Sequence, residues 1–131
     1  MAGYSGKPLS QKLGLKAGMR MALVDAPKGY LGILDPPGKP GPLKAGMDFI
    51  QLFSSTAQGL EKTISQLKSK MAAGGMLWIS WPKKGSALRK DLEESQVRAM
   101  GLSAGLVDVK VCAVDEDWSA LKFVIPLKDR R

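Results

Sequence analysis

The stretch Gly74–Gly85, Gly-Gly-Met-Leu-Trp-Ile-Ser-Trp-Pro-Lys-Lys-Gly, constrains the fold more than any other part of this chain. Its hydrophobic run carries apolar side chains on both parities. A strand with one wet face would alternate apolar and polar residues, so this run fits a strand covered on both faces, in the middle of an α/β sheet. Gly74 and Gly75 form its entry, Pro82 its exit, and Lys83 and Lys84 follow directly.

The segments before it supply the partners that such a strand needs. Met47–Phe53 reads as a second strand, ended by Ser54-Ser55-Thr56. Between the two, Gln58–Ala73 reads as a helix: Leu60, Ile64, Leu67 and Met71 recur three or four apart, while Lys62, Gln66, Ser69 and Lys70 face water. Thr56 is the expected N-cap and Gly74-Gly75 the expected stop. Strand, helix, strand in this order predicts a right-handed crossover between parallel strands. Upstream, Met19–Asp25 is the expected first strand, with Ala26–Tyr30 as its exit loop and Leu31, Ile33 and Leu34 in a short helical turn. Pro8–Leu13 starts a short helix ended by Gly14, whose Leu9 and Leu13 are expected to cover a sheet edge. Residues 35–46 hold four of the eight prolines and form a loop across one edge of the domain.

Downstream, Ser86–Met100 reads as an outer helix that Gly101, Ser103 and Gly105 break, with Asp91, Glu93 and Glu94 in its first turn. Leu106–Val114 and Trp118–Pro126, joined by Asp115-Glu116-Asp117, predict an antiparallel hairpin at the end of the sheet. The expected architecture is a small three-layer Rossmann-like α/β domain, its mostly parallel sheet of about five strands ending in that hairpin. At 131 residues one domain over 1–131 is expected, with 1–18 as a lead-in.

Composition narrows the chemistry. Histidine is absent, which excludes a histidine-based triad or a histidine-ligated zinc site within this sequence. The lone Cys112 has no cysteine to pair with and sits in a strand-like run as a structural thiol. No apolar stretch reaches membrane-span length and the start lacks a signal-peptide core, so a cytoplasmic protein is expected, with no membrane association. The net charge of +8 attracts anions, but the basic residues are dispersed, which favours a solvated surface over nucleic-acid recognition. The acidic turn at residues 115–117 has no calcium-loop spacing and no metal is expected there.

Open α/β sheets bind ligands beyond the carboxyl ends of their parallel strands. The candidate ligand-binding residues are therefore Asp25, Lys28, Tyr30, Ser54, Thr56, Trp81, Lys83 and Lys84. The lysines suit a phosphate or carboxylate, Asp25 a hydroxyl or amine, and Tyr30 or Trp81 a ring. The amides that open the helix after Thr56 are a second anion-binding feature. Neither a Walker loop nor a GxGxxG fingerprint is present, and Pro27 removes an amide that a phosphate cradle would use. No catalytic residue and no cofactor are assigned.

Gly3-Tyr4-Ser5-Gly6, Pro8-Leu9, Lys12-Leu13-Gly14, Leu77–Lys84 and Gly105–Ser119 together resemble a family of small bacterial proteins known as domain of unknown function three-zero-five-two. That resemblance supplies no reaction and no catalytic residues. The order of elements is more distantly similar to a shortened class I methyltransferase core. The analogy makes Met21–Asp25 its first strand, Met47–Phe53 and Met76–Trp81 later parallel strands, and Val107–Val114 with Leu121–Ile125 the last pair. Asp25–Gly29 does not reproduce that fold's glycine-rich adenosylmethionine loop, and the second strand with its ribose-binding acid is missing. Fold analogy leaves function open. The reading that follows is a non-catalytic or regulatory protein binding a small anionic ligand or a protein partner. The alternatives are an adenosylmethionine- or nucleotide-dependent enzyme completed by a partner, and a weak electrostatic nucleic-acid binder. A homodimer through the hairpin edge is also open, with Pro126 as a guard against edge extension.

Overall fold

The computed structural model describes residues 7–130. Gly3-Tyr4-Ser5-Gly6 lies outside them. The elements are α1 (Leu9–Lys12), β1 (Met21–Val24), α2 (Tyr30–Leu34), β2 (Met47–Phe53), α3 (Leu60–Lys68), β3 (Met71–Pro82), α4 (Glu94–Ser103), β4 (Val107–Ala113) and β5 (Trp118–Val124), followed by a single 3-10 turn at Leu127–Asp129. The five-stranded sheet has the order β1-β2-β3-β5-β4. β1, β2 and β3 run parallel, while β5 is antiparallel to both β3 and β4. The return strand is thus internal, and the outermost strands are β1 and β4.

The both-parity apolar runs explain the three layers. On one face, Ile50, Leu52, Leu77 and Ile79 pack with Leu60, Ile64 and Leu67 of α3 and Val97 of α4. On the other, Phe49, Phe53 and Trp78 pack with Leu13 beside α1 and with Tyr30 and Leu34 of α2. Trp78 and Trp81, three positions apart, fall on opposite faces, as strand geometry requires. Leu13 covers the middle of the sheet, not its edge: its carbonyl accepts the Trp78 indole N–H at 3.0 Å.

Two glycine readings are corrected by long-range contacts. The helix ends at Lys68, and Met71, Gly74 and Gly75 belong to β3. A Cβ on Gly75 would lie 2.6 Å from the Met47 carbonyl oxygen, so the glycine permits close passage of β3 along the irregular start of β2. Gly101 lies inside α4 instead of breaking it, because the Phe123 ring occupies the space a side chain would need. Gly59, at φ 74°, replaces Thr56 as the N-cap of α3. The start of α4 is fastened by a capping box between Glu93 and Gln96.

The proline-rich loop wraps the outer edge of β1, where the Gly41 N–H donates to the Met21 carbonyl at 2.9 Å. Among the described residues no helix is long and apolar enough to cross a membrane.

Candidate functional site

The parallel strands deliver the ends of β1, β2 and β3 to one edge, but the candidate residues do not converge there on a single pocket. Asp25 and Ser54 line a cleft of about 180 Å³ with Gln58 and Thr63. Trp81, Lys83 and Lys84 line a separate cleft of about 340 Å³, together with Arg89, Leu92, Glu93, Glu94 and Ser119. Lys28 is exposed and lines neither.

Tyr30 belongs to the core and is 1% exposed, so its ring is not available for stacking on a ligand. Its hydroxyl donates to Gln51 Oε1 at 2.7 Å, and Gln51 Nε2 donates to Ser80 Oγ at 3.0 Å. Burial pushes the Tyr30 phenol well above its ordinary range, partly offset by the Gln51 hydrogen bond. Phe53 stacks edge-on to Tyr30, with centroids 4.7 Å apart, and Trp118 edge-on to Phe53 at 5.0 Å. This aromatic stack closes the α2 side of the strand ends. The Tyr30–Gln51–Ser80 relay has no motif in the sequence; its signal there is that Gln51 and Ser80 are polar interruptions in two apolar runs.

Beside the stack, the β1 exit is shaped by its own turn. Asp25 has φ 57° and Gly29 φ 84°, while the Tyr30 N–H closes onto the Pro27 carbonyl at 3.0 Å. Thr56 is held locally: its N–H points to Ser54 Oγ at 3.4 Å, and the same hydroxyl donates to the Thr56 carbonyl at 2.9 Å. The next amide, Ala57 N–H, donates to the Asp91 carboxylate at 3.1 Å. That carboxylate and the exposed Asp25 make the approach to α3 unfavourable for an anion.

The Trp81 cleft differs in its charge. Glu93 is paired with Arg89 at 3.5 Å and Glu94 with Arg98 at 3.0 Å, whereas Lys83 and Lys84 have no ion pair among the described residues. The uncompensated charge lining this cleft is therefore positive. Its rim is pinned to the hairpin turn: Lys83 N–H donates to the Asp117 carbonyl at 2.7 Å, and Ser86 Oγ donates to Asp117 Oδ1 at 2.8 Å. Asp115 Oδ1 accepts the amides of Asp117 and Trp118, both at 2.9 Å. Two carboxylates of the acidic turn are thus spent on loop geometry. No group of three or more metal-ligating side chains converges among the described residues.

No protein-family model matches the sequence, and no curated protein does. Solved structures do match. The chain is similar to an SAM-dependent methyltransferase from Aquifex aeolicus, with TM-score 0.64 and 16% identity over 88% of this chain and 87% of that one. It is similar to a possible exported protein from Bordetella parapertussis, with TM-score 0.63 and 14% identity over 90% of this chain and 66% of that one. A TehB-like SAM-dependent methyltransferase from Corynebacterium glutamicum matches at TM-score 0.51 and 12% identity over 67% of this chain, which spans only 55% of that protein. The fold is class I methyltransferase-like. Identities this low carry the fold alone.

Proposed function

We propose that this chain is a non-catalytic ligand-binding domain on a methyltransferase-like scaffold, and that it takes a small anionic ligand in the Trp81 cleft. The observation that carries this reading is the cleft itself, about 340 Å³ at a strand end, with two lysines on its wall that have no ion pair among the described residues. Its volume falls in the roughly 300–1,000 Å³ range of small-molecule sites. Lys83 and Lys84 supply charge to a phosphate or carboxylate, Trp81 an apolar wall, and Ser119 a hydroxyl.

The residues at the β1 exit do not fit adenosylmethionine. One residue of that turn is a proline without an amide donor, and the only glycine in Asp25–Gly29 is its last residue. The cleft between the β1 and β2 ends, at about 180 Å³, is smaller than sites that enclose ligands of that size. The 35–46 loop occupies the β1 edge on which an additional strand would bring a ribose-binding acid.

The test is an amide-resolved NMR titration with phenyl phosphate, which joins a ring to a dianion. Saturable shifts are expected at Trp81, Lys83, Lys84 and Ser119, and their loss in Lys83→Gln/Lys84→Gln. Absence of saturable shifts in the cleft sinks the reading. The fold likeness favours a second reading, an adenosylmethionine-dependent enzyme whose pocket a partner completes; saturable heat on calorimetric titration with adenosylmethionine is its signature.

A further inference from the structure

A second basic recess lies on the α1 face of the sheet, opposite the face that carries Trp81. It is a groove of about 230 Å³ between α1 and β4, lined by Lys7, Gln11, Lys12, Lys110, Val111 and Cys112. Among the described residues no carboxylate contributes to its lining. The nearest acid on β4, Asp108, is engaged by Arg98 of α4 at 2.9 Å, and that helix packs on the opposite face of the sheet. Lys12 is held over the end of the groove by a 3.3 Å hydrogen bond from its ammonium to the Ala113 carbonyl.

The strand register adds a fourth cation beside it. Lys122 of β5 sits directly opposite Lys110 of β4, and on its other side it pairs with Trp78, a residue of the α1 face. Lys110 and Lys122 therefore share that face. Like charges directly opposite each other on neighbouring strands are destabilising. Burial, and secondarily Lys110, hold the Lys122 ammonium below the usual lysine range. A bound anion would relieve this repulsion, and among the described residues the groove offers no carboxylate to do so.

We propose that the groove between α1 and β4 binds a compact diphosphate group through Lys12, Lys110 and Lys122, with Gln11 as an additional donor. Lysine serves here as a point charge, which suits a spherical cluster of phosphate oxygens more than a planar carboxylate. The volume of about 230 Å³ matches the charged group of a ligand, leaving any organic portion in solvent. The diphosphate could be inorganic or the tail of a nucleotide, and the two sources are separable.

Cys112, the one cysteine in the sequence, lines the groove and reports on it locally. The full chain is titrated with inorganic pyrophosphate and, in parallel, with adenosine diphosphate, while maleimide labelling of Cys112 and the melting temperature are followed. Saturable slowing of labelling together with a raised melting temperature is expected. Lys110→Gln, at an exposed position, is expected to raise the ligand concentration at which both effects are half-developed about tenfold, as the loss of one charge-assisted contact implies. Lys83→Gln/Lys84→Gln, in the other cleft, leaves Cys112 protection intact, so failure of the Trp81 site and failure of this one are distinguishable. Tighter binding of adenosine diphosphate assigns the group to a nucleotide, and equal or weaker binding assigns it to free pyrophosphate. Labelling unaffected by either ligand, or protection that survives Lys110→Gln unchanged, overturns the proposal.

Discussion

The two halves of the strand-end edge come from the same parallel sheet and end in opposite ways. At β1 and β2, Tyr30, Phe53 and Trp118 stack edge to face, and the small adjoining cleft carries Asp25. At β3, the chain turns out through Pro82 into a loop tied to the acidic turn, leaving Lys83 and Lys84 beside an open cleft. A fold's usual binding edge is thus not uniformly a site. Aromatic volume can close one portion of it while a lysine-bearing exit loop keeps another open.

The strongest way to break the closed half is Phe53→Ala. Phe53 is 3% exposed and touches both other rings, so its loss is expected to cost about 3–5 kcal/mol in urea unfolding. A loss below about 1 kcal/mol would show that the stack does not close that half. The polar relay beneath it comes next. Gln51→Leu strips partners from both the Tyr30 and Ser80 hydroxyls and is expected to cost about 1–3 kcal/mol. Adding Tyr30→Phe and Ser80→Ala removes the stranded polar groups and is expected to restore part of that loss; a further loss contradicts the relay.

On the open side, α4 is clamped to β4 by Arg98 and Asp108. The hydrogen bond from Arg98 holds the Asp108 carboxyl below its usual range. A carboxylate depressed in the folded state stabilises it at every pH above the unfolded value of about 3.9, and that stability is lost as pH falls through the lower folded value. Wild-type melting temperature is therefore expected to drop more steeply in that acid window than that of Asp108→Asn. Coincident slopes would show that this pair does not hold α4. The smallest effect on stability belongs to Lys83→Gln/Lys84→Gln, within about 0.5 kcal/mol, since neither ammonium has an ion pair among the described residues. The same variant is expected to lose phenyl phosphate binding, so the open half separates ligand binding from folding.

Local pattern made much of the fold legible. β2 runs over Met47–Phe53 as its apolar run predicts, and the terminal hairpin, the mostly parallel sheet and the opposite facing of Trp78 and Trp81 follow from periodicity. What local pattern misread was decided by distant residues. Gly74-Gly75 after an amphipathic run has the look of a helix stop, and only the Met47 carbonyl explains why β3 needs a glycine there. Gly101 reads as a breaker until Phe123 is packed on it. At the candidate site, Tyr30 in an exit loop has every local mark of exposure, yet Gln51, twenty-one positions away, draws it into the core. The division of Asp25 and Ser54 from Trp81, Lys83 and Lys84 is equally tertiary, since it depends on which rings fill the space between strand ends. The Lys110–Lys122 pair requires the register of β4 on β5, which an irregularity between Asp108 and Lys110 shifts.

The contrast between a closed and an open half is tested most directly by following backbone amides during an adenosylmethionine titration of the full chain. No saturable shift is expected at Asp25–Tyr30 or Ser54–Thr56. Saturable shifts in those two segments would contradict that contrast, because they would mean that the cofactor enters where Tyr30, Phe53 and Trp118 are stacked.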